Sequence, residues 1–160
     1  MNASVLKLGL WAGVVALSGC AGHGGGHERM EMMGKGGMAV ATLTPTQGQT
    51  ARGIIMFHEM DGHLMVHAKV SGLKPGGEHG FHLHEKGDCA STDGTSAGGH
   101  FNPDGKPHGP QEAAHHAGDM PALKADANGV ADQKFMLMGP TVAAGPAQIV
   151  GRSVIVHLNP

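Results

Sequence analysis

The chain has 160 residues and a net charge of −2, with a sequence pI of about 6.7, which removes any bulk electrostatic argument for nucleic acid as a partner. That length is enough for one domain with a real core. Glycine is abundant at 28 residues, aromatics fall to 3% and tyrosine is absent, a composition that favours short strands and turns over helices.

Lys7 stands near the start of an apolar run, Leu8 to Leu17. The run is too short to span a bilayer and suits the core of a leader. It closes on Leu17-Ser18-Gly19-Cys20, which resembles the signal of bacterial lipoproteins, whose cysteine becomes the lipidated first residue. The expected organisation is a leader over 1–19, a tether over 20–37 and a folded domain over 38–160. Export to the periplasm and a membrane anchor on Cys20 follow from that resemblance. Residues 21–37 show no period, and their glycines make a flexible tether. They also carry His23, His27, Met30, Met32 and Met33, a donor set that suits copper, although an incidental spacer is the favoured reading.

Strands begin at Met38. Residues 38–45 read as one strand, 46–50 as a turn and 52–58 as a second strand, followed by a turn at Asp61-Gly62. From His63 to Val70 the alternation is clearest. Leu64, Val66, Ala68 and Val70 face a core, and His63, Met65, His67 and Lys69 face solvent. His58, His63 and His67 are therefore expected on the outer surface, with a weak metal patch as the alternative. After a turn at 72–77, residues 78–85 read as the next strand. Residues 86–121 have no period, and a loop of that length in a compact domain is usually functional or disordered. Residues 122–128 and 130–138 read as a strand pair around Asn128-Gly129, and 148–158 as a last strand. Short antiparallel strands without a helix of weight imply an all-β fold, an immunoglobulin-like Greek-key sandwich or barrel.

Six of the 13 histidines lie between Gly80 and Asp119. His82 and His84 are two apart on a strand, so their side chains leave the same face about 7 Å apart, within reach of one metal. Phe81 and Leu83 then face the core. His157, on another strand, is a candidate third ligand. His100, His108 and His116 are spaced by eight, with Asp119 three residues on. Three imidazoles and a carboxylate form a good tetrahedral zinc set, and a structural zinc would hold a glycine-rich loop in place.

Read together, Glu78-His-Gly-Phe-His-Leu-His-Glu85, Gly87-Asp-Cys89, Gly98-Gly-His-Phe-Asn-Pro103, Lys106-Pro-His-Gly-Pro110, His116-Ala-Gly-Asp119 and Gly151-Arg-Ser-Val-Ile-Val-His157 resemble the copper–zinc superoxide dismutase family, in its bacterial exported branch. The similarity spans about residues 38–157. It implies copper at His82, His84, His100 and His157, and zinc at His100, His108, His116 and Asp119, with His100 as a bridging imidazolate. It also implies superoxide as substrate, dismuted to oxygen and peroxide by a copper that changes oxidation state. The His-Ala-Gly-Asp run selects His116 over His115, and His79 is expected to anchor a loop by a hydrogen bond and not to ligate.

After His157 the family pattern continues with a charged loop, a second cysteine, a channel arginine and a final strand, whereas this sequence reads Leu158-Asn159-Pro160. Arg152 matches the family's Gly-Arg pair and not the channel arginine. The resemblance therefore leaves the fold with its last strand missing and an open edge. It also leaves Cys89 without the second cysteine of the family's disulfide, a bridge typically worth about 2–4 kcal/mol. A homodimer through that edge, or through Cys89, is the expected compensation. A copper- and zinc-binding domain with little dismutase activity, storing or passing copper, is the second reading.

Overall fold

The computed structural model describes residues 3–9, 36–110 and 113–160. Its strands are β1 (Ala3–Gly9), β2 (Met38–Leu43), β3 (Arg52–Met60), β4 (His63–Ser71), β5 (Glu78–His84), β6 (Asp119–Lys124), β7 (Ala131–Met138) and β8 (Ser153–His157). All pairings between them are antiparallel, in the order β6-β5-β8-β1-β2-β3-β4-β7. They form two sheets that share β1, a Greek-key β-sandwich, and the all-β expectation holds.

Alternation builds the core. On β3 and β4, Ile55, Phe57, Leu64, Val66 and Ala68 turn inward and are fully buried. Phe81 and Leu83 of β5 meet them from the other sheet, with Leu123, Val154 and Val156. Phe81 packs edge-on against Phe135 of β7, with ring centroids 6.3 Å apart. Burying such a side chain contributes about 1.5–3 kcal/mol. Asp61 and Gly62, with φ of 47° and 83°, both take left-handed backbone in the two-residue turn between β3 and β4, as the Asp-Gly signal predicts.

Three expectations change. Residues 122–138 are not a hairpin. The turn exists, capped by Asp126, whose Oδ1 accepts from the Asn128 and Val130 N–H groups. But β6 pairs with β5, and β7 pairs with β4. The Gly129 carbonyl accepts from Leu73 N–H, which pins the turn over the end of the sandwich while its two strands enter different sheets. The Gln133 side chain still links them, accepting from Lys124 N–H at 2.5 Å and donating to the Ala122 carbonyl at 3.2 Å.

The second change concerns the open edge. Residues 3–9 run as β1 between β8 and β2, with Ala3 opposite His157 and Leu6 opposite Leu43. Two rows of unpaired backbone groups are costly, and an extended segment of the same chain satisfies both. The rest of the expected leader, and the tether through residue 35, lie outside the described residues. Gly37 also joins the sandwich, its carbonyl accepting from Glu59 N–H at 2.9 Å.

Third, the long loop is held by backbone bonds as well as by side chains. It contains a single helical turn, Thr95–Ala97. Glu85 and Lys86 N–H donate to the Gly99 and Ala97 carbonyls, and Leu83 N–H donates to Gly118. Gly118 is required there, since a Cβ would lie 2.5 Å from the Leu83 carbonyl oxygen.

Candidate metal centre

The expected ligands gather on the outer face of the β5–β8 sheet and on the loop folded over it. A register shift at His79–Phe81 marks a bulge at Gly80. Past it, β5 alternates cleanly, with Phe81 and Leu83 in the core and His82 and His84 on the opposite face. His157 follows from β8, which pairs with β5. His100 reaches the same place through an isolated bridge to His84.

One ligand atom from each of His82, His84, His100 and His157 lies within 4.8 Å of the others. His82 stacks on His100 with ring centroids 4.0 Å apart. Second partners fix the rings. A carbonyl can only accept, so His84 Nδ1 donates to Gly98, at 2.9 Å, and its Nε2 carries the lone pair. His79 Nδ1 donates to the His157 carbonyl at 2.8 Å, the anchoring role expected of it. His82 Nδ1, His84 Nε2 and His157 Nε2 are buried and have no hydrogen-bond partner among the described residues. An unpaired buried polar atom costs about 1–3 kcal/mol, and three facing one small space fit a cation that accepts their lone pairs.

The second half is organised by Asp119, which is buried at 2% exposure. Its Oδ1 lies 2.9 Å from His100 Nδ1 and 3.3 Å from His116 Nδ1, and its Oδ2 lies 2.9 Å from His108 Nδ1. Backbone N–H groups of His116 and Gly109 donate to Oδ2 at 3.0 and 3.3 Å. Three ring nitrogens and one carboxylate thus converge, with protons where a zinc ion would sit. A separate four-residue grouping within 4.8 Å replaces His116 by His82 beside His100, His108 and Asp119, so the two half-sites adjoin. His115 turns away and hydrogen-bonds the Ala113 carbonyl at 2.7 Å.

Burial sets the protonation states. It takes His82 down to about 3, helped by His100 and His157 as neighbouring rings that would repel a proton. It takes His157 down to about 4, with His84 and His100 beside it. Burial also lowers His84 and His100, against the Gly98 carbonyl and Asp119 respectively. For Asp119, burial acts to raise the pKa, but hydrogen bonds from Gly109, His100 and His116 outweigh it and hold the carboxyl below its ordinary range. Near neutral pH the cluster is therefore four neutral imidazoles beside an ionised carboxylate, the state that metals require of their ligands.

Two supports carry no obvious sequence signal. Arg152 lies over the Phe101 ring, 3.7 Å from its centroid, and donates to the Glu85 carbonyl at 2.8 Å, tying the loop to β5 and β8. Ser153 Oγ donates to the Lys86 carbonyl at 2.6 Å. Cys89 is half-buried and packs against Ala97 and Ile155.

Residues 51–160 match the family model described as copper/zinc superoxide dismutase. The chain is 46% identical over 132 residues to Superoxide dismutase [Cu-Zn] 2 of Brassica juncea, covering 80% of each chain. Among solved structures it is similar to the clock protein EA4, at 38% identity and a TM-score of 0.67, covering 75% of this chain and 74% of that one. It is also similar to a SOD-like protein from Bacillus subtilis, at 35% identity and a TM-score of 0.62, over 67% and 75% of the two chains. The sandwich, the paired histidine clusters and these matches agree, and the chain belongs to the copper/zinc superoxide dismutase family.

Proposed function

We propose that the chain converts two superoxide ions and two protons to oxygen and hydrogen peroxide at copper held by His82, His84, His100 and His157, with zinc held by His100, His108, His116 and Asp119. The observation that carries this reading is the three buried, partnerless nitrogens of His82, His84 and His157 directed into one cluster with His100. When bound, copper supplies the one-electron redox couple and zinc a fixed positive charge. His100 is the shared ring. Its Nδ1 is committed to the Asp119 side, which leaves Nε2 for the copper side, and that nitrogen holds and gives up a proton during turnover. Asp119 fixes the ring's orientation, the Gly98 carbonyl fixes that of His84, and His79 ties down the backbone of His157. The test is superoxide turnover by the purified chain loaded with both metals. Turnover far above that of the same copper free in solution is expected, and a rate no greater than free copper would reassign the centre to metal binding alone.

We infer also that the protein is exported to the periplasm and anchored through a lipid on Cys20, with a second copy of the chain as its partner. The Leu17-Ser18-Gly19-Cys20 run after a short apolar core supports export and anchoring. The intact mass of the membrane-bound protein tests this. An acylated N-terminal Cys20 is expected, and an unmodified N-terminus elsewhere would end the anchor.

A further inference from the structure

The outer face of the β2-β3-β4-β7 sheet bears an unusual set of side chains for a solvated surface. Among the described residues, Met38, Met56, Met60, Met65, Met136 and Met138 all point outward from these four strands, and of the methionines only Met120 joins the core. Met38, Met60, Met136 and Met138 are 57%, 43%, 51% and 60% exposed. Such exposure of apolar side chains needs a reason.

Register puts them in rows. Met38 stands opposite His58, His58 opposite Met65, and Met65 opposite Met136, one straight line across four strands. The next line is Met60, His63 and Met138. Each line places one imidazole among two or three thioethers. Directly opposed residues have Cβ atoms about 4.5–5.5 Å apart, so three consecutive long side chains can converge over the middle strand. The third histidine of the face is committed elsewhere, since His67 Nε2 pairs with Asp132 at 2.6 Å. Neither His58 nor His63 has such a partner among the described residues.

We propose that this face is a second copper site, selective for Cu(I) and held by His58, Met65 and Met136 with Met38 at its margin. Thioether and imidazole are soft, neutral donors that favour Cu(I) over the hard divalent ions. No carboxylate stands in either line, so neither offers the oxygen ligands that calcium or magnesium require. The site lies apart from the dinuclear centre, which is on the other sheet and contains no sulfur ligand. Met38 opens the strand that follows the tether's Met30, Met32 and Met33 in sequence, so a copper-collecting tether would lead straight to this face.

The test is anaerobic Cu(I) titration of the full chain against a chromophoric chelator, with the histidine–aspartate centre already filled, followed by X-ray absorption at the copper edge. At least one further equivalent with sulfur in its coordination shell is expected. Met65→Leu with Met136→Leu keeps side-chain volume and fold, and should weaken the further equivalent by about tenfold or more through loss of soft donors, with dismutase rate unchanged. Replacing Met30, Met32 and Met33 by leucine should leave the further equivalent bound. The proposal fails if no further equivalent binds. It fails equally if the Met65/Met136 variant keeps that equivalent with unchanged sulfur scattering, as it would if the face instead served only to pair two copies of the chain. Loss that follows the tether variant alone would also overturn it.

Discussion

Asp119 holds three histidine rings with two oxygens, and that concentration of partners explains why one acidic residue matters so much to this site. The rings of the other half-site make a pH prediction for the metal-free protein. His82 and His157 sit at about 3 and about 4 in the fold, against about 6.5 in an unfolded chain. Above about pH 6.5 both are neutral in either state, so folding releases no proton. Between about 6.5 and 4 the unfolded chain binds protons that the folded cluster refuses, and stability falls as pH falls. Denaturant titrations in chelator, from pH 7.5 to 4.5, should show the midpoint dropping steadily with unchanged slope. A flat profile would mean that the rings are solvated and not gathered. The clustering of these side chains was legible in the sequence, because spacing by two on a strand and the His-Ala-Gly-Asp run are local signals. The partners that aim them were not. The Gly98 carbonyl behind His84 and the Phe101 face under Arg152 are features of chain path, and a backbone acceptor leaves no trace in residue type.

At the scale of elements, β5 joins core and chemistry. Its odd residues, Phe81 and Leu83, are fully buried, and its even residues, His82 and His84, turn to the metal side. Any shift of this strand is therefore felt at both faces. Phe81→Ala should cost about 3–5 kcal/mol and should also loosen copper, because the cavity lets β5 relax inward and pulls His82 from His100. Thermal unfolding and copper retention against a chelator measure the two effects. Lost stability with fully retained copper affinity would show that the loop, not the strand, fixes the site. Strand positions were readable wherever one face is buried and the other wet, as in His63–Ser71. The pairing of β6 and β7 was not, since Asn128-Gly129 announces a turn without saying which sheet each arm will join. That choice is made by Leu73, which takes the Gly129 carbonyl, and by the open edges of β5 and β4.

For the whole molecule, the decisive feature is the seam between β2 and β8, where Ala3–Gly9 lies in register with both. A chain beginning at Cys20 lacks those residues. Its β2 and β8 then present facing rows of unpaired N–H and C=O groups, the usual template for pairing with another strand. His157 is on that edge, opposite Ala3, so the seam borders a proposed copper ligand. Compared with the chain that keeps residues 3–9, the chain from Cys20 should unfold at lower temperature, associate with rising concentration in sedimentation, and lose copper faster to a chelator. A peptide spanning residues 2–10, added in excess, should reverse all three by filling the seam, with a stabilisation that grows with its concentration as mass action requires. Identical melting, a concentration-independent monomer and no response to peptide would mean that β2 and β8 close on each other directly. In that case the barrel closes with seven strands, and β8 with His157, a proposed copper ligand, is held by β5 and β2. The peptide makes the result decisive, because a defect caused by misfolding elsewhere would not be repaired by a segment that pairs with these two edges.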